Sequence, residues 1–284
     1  MKLARFTHAG VTSIGKIEGD RIIDLAAILG RRGASMRALL TDFPTLKPQL
    51  EQTSAPSLPL SEVRLEAPID DPQKFLAIGM NYKAHADEAA AAGIPTPKSQ
   101  FWFNKQVSCI TGPYDDVVAP KDSEQVDYEA ELAFVIGKRC RHVRRENARE
   151  VIAGYMVCND VTARDWQFRS PTYTLGKSFD THGPVGPWLT TDDEIADPLA
   201  LELSLTVNGE ERQRSSTGDM IYNIYEQIEY LSTVMTLEPG DLITTGTPSG
   251  VGIALDKFLK PGDEVRVEIS ELGHICNRIV AEES

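Results

Sequence analysis

Two glutamates set two residues apart inside an apolar run constrain this chain more than any other feature. The run is Tyr128-Glu129-Ala130-Glu131-Leu132-Ala133-Phe134-Val135-Ile136-Gly137. It reads as a β-strand, in which side chains two apart share a face. Tyr128, Ala130, Leu132 and Phe134 then fill one face, and Glu129, Glu131, Ala133 and Val135 the other. Two carboxylates on such a face are costly, because like charges repel and lost hydration penalises both. A divalent cation removes that cost, and hard oxygen ligands suit Mg²⁺, Mn²⁺ or Ca²⁺ rather than Zn²⁺. The spacing taken alone also fits a solvent-facing pair on an edge strand.

With 284 residues, the chain has room for one large domain, or one domain and a small appendage. A net charge of −13 argues against nucleic acid and anionic membrane surfaces as partners. The basic stretch at 138–149 is short and interrupted by Glu146, and reads as a solvated turn. No apolar run approaches the roughly 18–20 residues of a membrane span, and the N-terminus shows no secretory pattern. Cys109, Cys140, Cys158 and Cys276 have neither CxxC nor zinc spacing, so they read as reduced thiols in a cytoplasmic protein.

The expected fold class is α+β, mostly β: a mixed β-roll or sandwich with a small N-terminal α+β appendage. Residues 1–25 read as strands turning at Gly19-Asp20, followed by short helices near 25–31 and 35–42. The Ser/Pro-rich stretch at 54–61 is the best boundary, dividing the chain into 1–60 and 61–284. Further strands are expected at 74–79, 153–157, 241–246 and 264–270, with a hairpin at 201–213 turning at Asn208-Gly209. Helices are expected at 82–93 and 221–235. The second carries Ile221, Ile224, Ile228, Leu231, Val234 and Met235 at helical spacing.

Asn159-Asp160 closes the expected strand at 153–157, which offers Asp160 as a third carboxylate for the Glu129–Glu131 pair; a helix cap is the alternative. Arg164 and Gln167 are three apart and share a face if the turn after it is helical. Arg grips a carboxylate with two donors and Gln adds another. His85 and Glu88 form an HxxE pair on an Ala-rich helix with no strong apolar stripe. They fit either a general base with its orienter on a lid, or an ordinary surface pair. Lys177 is held between a glycine and a Gly/Pro-rich loop. The TGTPSGVG segment lacks the residue order of a phosphate loop.

Five segments, IGMNYKAHADE, VDYEAELAFVIGK, NDVTARDWQ, GKSFDTHGPVGPW and PGDLITTGTPSGVG, occur in the order found in the fumarylacetoacetate hydrolase family, over about residues 74–252. The chain resembles a short, bacterial-type member of that family, of the acylpyruvate or diketo acid hydrolase kind. The resemblance implies a metal at the mouth of a β-roll, and a homodimer. By matching position, it implies Glu129, Glu131 and Asp160 as metal ligands. Lys177 and Thr181 match positions near metal and substrate, and His85 and Glu88 match a lid dyad. Arg164, Gln167 and Thr247 match substrate contacts. The expected cofactor is Mg²⁺, with Mn²⁺ or Ca²⁺ as substitutes.

The expected reaction is hydrolysis of the C3–C4 bond of a 2,4-dioxo acid, giving pyruvate and a second acid. The alternatives are decarboxylation of oxaloacetate and isomerisation of a 2-hydroxy-dienoate. Phe101, Trp102, Phe103, Trp166, Phe168 and Tyr173 are candidates for lining the substrate's tail, or else for core and interface packing.

Overall fold

The strand Ala130–Ile136 lies inside the main sheet, antiparallel to Ile152–Asn159 on one side and to Leu242–Thr244 on the other. The computed structural model describes residues 1–30, 33–91, 93 and 95–283. In strand order the main sheet runs Ser57–Pro59, Arg21–Asp24, Val11–Glu18, Lys2–His8, Gly183–Thr191, Ile152–Asn159, Ala130–Ile136, Leu242–Thr244, Phe75–Gly79, Phe101–Asn104. Leu242–Thr244 and Phe75–Gly79 pair in parallel and the other neighbours on this path are antiparallel, so the sheet is mixed. A second sheet orders Glu210–Ser216, Glu202–Val207, Glu264–Ile269, Gly273–Ala281 and Val117–Ala119.

The strand expected from Tyr128 begins at Ala130, with Tyr128 and Glu129 just ahead of it, and the alternation along this stretch places two cores. Tyr128, Ala130, Leu132 and Phe134 pack with Leu203, Leu205, Val265 and Val267 of the second sheet. Ala133 and Val135 point the other way and pack with Leu29, Met36, Leu39, Leu40 and Leu50 of the N-terminal helices. Both faces of the strand are therefore dry, and the edge-strand alternative does not hold. This is the α+β, mostly β architecture expected from the sequence.

The N-terminal strands extend the same sheet, through Lys2 opposite Thr190 and Leu3 opposite Leu189. The Ser/Pro-rich stretch carries the strand Ser57–Pro59, paired with Arg21–Asp24. Helices cover Ala26–Leu29 and Met36–Thr41, and the expected helix position at Arg31 lies outside the described residues. A further helix, Phe43–Gln52, was not expected, because Pro44 and Pro48 obscure its pattern. Pro44 sits in the first turn, where its missing N–H costs little.

The Ala-rich helix spans Lys83–Ala91; Ala92 lies outside the described residues. The helix expected at 221–235 spans Ile224–Val234 and opens on an Asn223–Glu226 capping box. Its expected stripe needs correction. Ile224, Ile228 and Leu231 are buried, but Ile221 precedes the cap and Val234 faces outward, leaving both exposed. The 201–213 hairpin turns at Asn208-Gly209 with both residues at positive φ, as a two-residue hairpin requires.

Candidate metal centre and active site

Strand register explains how residues 29 positions apart meet. Ala130 lies opposite Asn159 and Glu131 opposite Cys158. At the strand ends, Glu129 N–H donates to Asn159 Oδ1 at 2.9 Å, and Asp160 N–H donates to the Glu129 carbonyl at 2.9 Å. One ligand atom from each of Glu129, Glu131 and Asp160 falls within 4.8 Å of the others, and all three side chains are buried.

The buried charges do not balance. Asp127, Glu129, Glu131 and Asp160 are four buried carboxylates, facing three buried cations, Lys105, Arg164 and Lys177. Lys177 Nζ donates to Glu129 at 2.8 Å and to Asp160 at 2.9 Å. Lys105 Nζ donates to the other Asp160 oxygen at 2.6 Å and to the carbonyl of Lys177. Arg164 reaches Asp127 at 2.8 Å and Glu129 at 2.7 Å, and its Nη1 donates to Gln167 at 3.0 Å. Among the described residues Glu131 has no ion pair; its carboxylate accepts Gly246 N–H at 2.8 Å.

Burial works against the charge on Glu129, but the Lys177 and Arg164 cations outweigh it and hold the carboxyl at about 2. Burial, followed by the Asp160 and Glu129 charges, pushes Glu131 well above the usual carboxylate range. A site with three clustered carboxylates, one of them uncompensated, fits a hard divalent cation with oxygen donors.

The cavity beside this cluster has a volume of about 130 Å³. Glu129, Lys177, Arg164, Gln167 and Thr247 line it, and so do His85 and Glu88. His85 Nδ1 lies 3.0 Å from Glu88, whose second oxygen accepts Gly250 N–H at 3.2 Å. The helix Lys83–Ala91 is thereby tied to the TGTPSGVG loop. Thr247 Oγ1 accepts from Gln213 at 2.9 Å. Thr181 does not line the cavity; its hydroxyl accepts Val118 N–H at 2.8 Å. Glu131 and Asp160 are not among the lining residues.

Phe101, Phe103, Phe168 and Tyr173 line the cavity, whereas Trp102 packs on the core and Trp166 donates to the Asp122 carbonyl. Cys109 and Cys158 are buried core thiols. Sequence reasoning missed Lys105 and Asp127. Asp127 adjoins the glutamate pair, and Lys105 stands at the end of the aromatic strand Phe101–Asn104, where a lysine is out of place on an apolar run.

Comparison with known proteins identifies the family. The sequence model of the fumarylacetoacetate (FAA) hydrolase C-terminal domain matches residues 74–280, and an Rv2993c-like N-terminal model matches 1–68. The chain belongs to the fumarylacetoacetate hydrolase family. It is 36% identical to the maleylpyruvate hydrolase of Sphingobium sp. SYK-6, a structure holding manganese(II) and pyruvate, with a TM-score of 0.86 and 100% of both chains covered. The fumarylacetoacetate hydrolase of Exiguobacterium antarcticum is also 36% identical, with a TM-score of 0.89, covering 99% of this chain and 100% of that one. The mitochondrial oxaloacetate tautomerase FAHD2A of Homo sapiens is 46% identical over 79% of this chain and 72% of its own. As an enzyme of this family, the protein takes a divalent metal and a small-molecule substrate. No helix among the described residues is long and apolar enough to cross a membrane.

Proposed function

We propose that this protein hydrolyses the C3–C4 bond of a 2,4-dioxo acid, releasing pyruvate and a second carboxylic acid. A Mg²⁺ or Mn²⁺ ion held by Glu129, Glu131 and Asp160 would supply Lewis-acid stabilisation of the enolate that this cleavage demands. His85, oriented by Glu88 through Nδ1, presents Nε2 to a water and takes its proton. The hydroxide adds to C4, the C3–C4 bond breaks, and its electron pair stays on C3. The imidazolium of His85 returns a proton to C3. Lys177 adds positive charge beside the developing enolate, and electrostatic preorganisation of this kind is the larger part of such catalysis. Arg164 holds Glu129 and orients Gln167 toward the cavity.

The observation that carries this reading is the His85–Glu88 pair facing the same cavity as Glu129 and Lys177. A metal-dependent product assay against acetylpyruvate tests it. Pyruvate and acetate in equal amounts, lost with EDTA, are expected; an untouched substrate overturns it.

A second reading is favoured by the 46% identity to a human oxaloacetate tautomerase. There His85 takes a proton from C3 while the C2 oxygen gains one from solvent, or the reverse, and no carbon–carbon bond is cleaved. Decarboxylation of oxaloacetate would use the same enolate. Ultraviolet absorbance of the enol and release of CO₂ separate these from hydrolysis. We further propose that the enzyme is a cytoplasmic homodimer, with residues 1–60 as a small N-terminal domain on a 61–284 catalytic domain.

A further inference from the structure

We infer that the group this site accepts beyond C4 of its substrate is uncharged and apolar; the inference rests on the hydrolase reading and names its substrate class. A corridor of rings leads outward from the polar centre. Lys177 Nζ lies 5.1 Å from the Phe103 ring centroid. Tyr173 follows at 6.2 Å from Phe103, and Phe101 and Phe168 stand at 5.1 and 5.9 Å from Tyr173. Phe168 is 52% exposed, so the corridor ends at solvent. Ile253 and Ala254 line the cavity with these rings.

The cations among the lining residues are Lys177, Arg164 and, when protonated, His85, and each is engaged. Lys177 is bound to Glu129 and Asp160, Arg164 to Asp127 and Glu129, and His85 to Glu88. Arg169 lies outside the lining, stacked 3.6 Å over the Trp166 ring. A tail carboxylate entering the corridor would lose water and, among the described residues that line it, meet no cation without a carboxylate partner, a cost that excludes it relative to an alkyl group of the same shape.

The test compares two substrates of matched shape on the Mn²⁺-loaded protein, 7-methyl-2,4-dioxooctanoate and 2,4-dioxoheptanedioate. An isopropyl group in the first replaces the distal carboxylate of the second. The expected kcat/KM ratio is at least about tenfold in favour of the alkyl tail. Phe168→Arg, at the exposed end of the corridor, should narrow or reverse the ratio. Equal turnover, or preference for the diacid, overturns the inference and leaves hydrolysis standing. Cleavage of neither substrate sinks the hydrolase reading. In that case calorimetric binding of 7-methyl-2-oxooctanoate against 2-oxoheptanedioate, which lack the C4 carbonyl, still reads the tail. Tighter binding of the diacid there overturns the inference by itself.

Discussion

Lys105 Nζ meets Asp160 Oδ1 at 2.6 Å, and neither side chain touches solvent. Burial disfavours the ammonium, but the Asp160 charge more than compensates and raises its pKa. Lys105 therefore stays charged and fixes one Asp160 oxygen, while Lys177 takes the other. Its contact with the Lys177 carbonyl ties the two lysines into one support.

Lys105→Met should destabilise the fold by about 3–5 kcal/mol, the usual cost of stranding one member of a buried ion pair. Denaturant unfolding measures this. The loss should be larger in EDTA than in Mn²⁺, because the cation supplies part of the missing charge. A loss below about 1 kcal/mol in EDTA, the range of an exposed pair, would show that the pair is dispensable.

Glu131→Gln separates metal binding from folding. The variant removes one charge from an over-anionic cluster, so without metal it should melt at or above the parent temperature. Mn²⁺ at 100 times Kd should stabilise the parent by about 2.7 kcal/mol. The variant should lose most of that shift and its turnover together. An unchanged Mn²⁺ shift, read by calorimetry, would remove Glu131 from the ligand set.

His85→Ala should lower kcat by about 100-fold or more, the usual contribution of a positioned acid–base group. Mn²⁺ affinity should change little, since His85 lies outside the Glu129, Glu131 and Asp160 cluster, on the helix Lys83–Ala91. Glu88→Gln should produce a smaller loss, because an amide still accepts from Gly250 N–H but orients the ring less strongly. Hydrolysis at the parent rate in His85→Ala would reassign the water-activating step.

His182 predicts a pH dependence of stability away from the metal ligands. It is buried, with Nε2 donating to the Val118 carbonyl at 3.0 Å, and Nδ1 lacks a hydrogen-bond partner among the described residues. Burial, then the nearby Lys105 charge, lowers its pKa to about 3. The unfolded chain takes up this proton near pH 6.5 and the folded one does not. The stability contributed is full above pH 6.5 and is lost progressively as pH falls toward 3, by up to about 4–5 kcal/mol. His182→Gln, which keeps a donor for Val118, should flatten the slope of unfolding free energy between pH 6.5 and 4. An unchanged slope would place the acid sensitivity elsewhere.

Much of the centre was legible because its chemistry is local. Period-2 alternation told the two faces of the strand Ala130–Ile136 apart, and the two cores confirm that division. HxxE spacing brought His85 and Glu88 to one helical face, and they lie 3.0 Å apart. Elsewhere local pattern misled. The helical stripe expected at 221–235 included Ile221 and Val234, which are exposed, because apolar spacing does not reveal where a cap ends a helix. The Phe43–Gln52 helix was hidden by its prolines.

The sequence by itself determined the strand that carries Glu131, with Glu129 just ahead of it, the helix with its His85–Glu88 pair, and the order of motifs that marks the family. Each depends on residues within a few positions of one another, where backbone periodicity settles which side chains share a face. Only the tertiary structure decided that Lys105 and Lys177, 72 residues apart, grip opposite oxygens of Asp160. It alone decided that Arg164 forms its ion pairs with Asp127 and Glu129, and that Glu131 is left without a cation among the described residues. Charge balance in a buried cluster depends on which distant strand ends converge there, and no spacing along the chain encodes that distance.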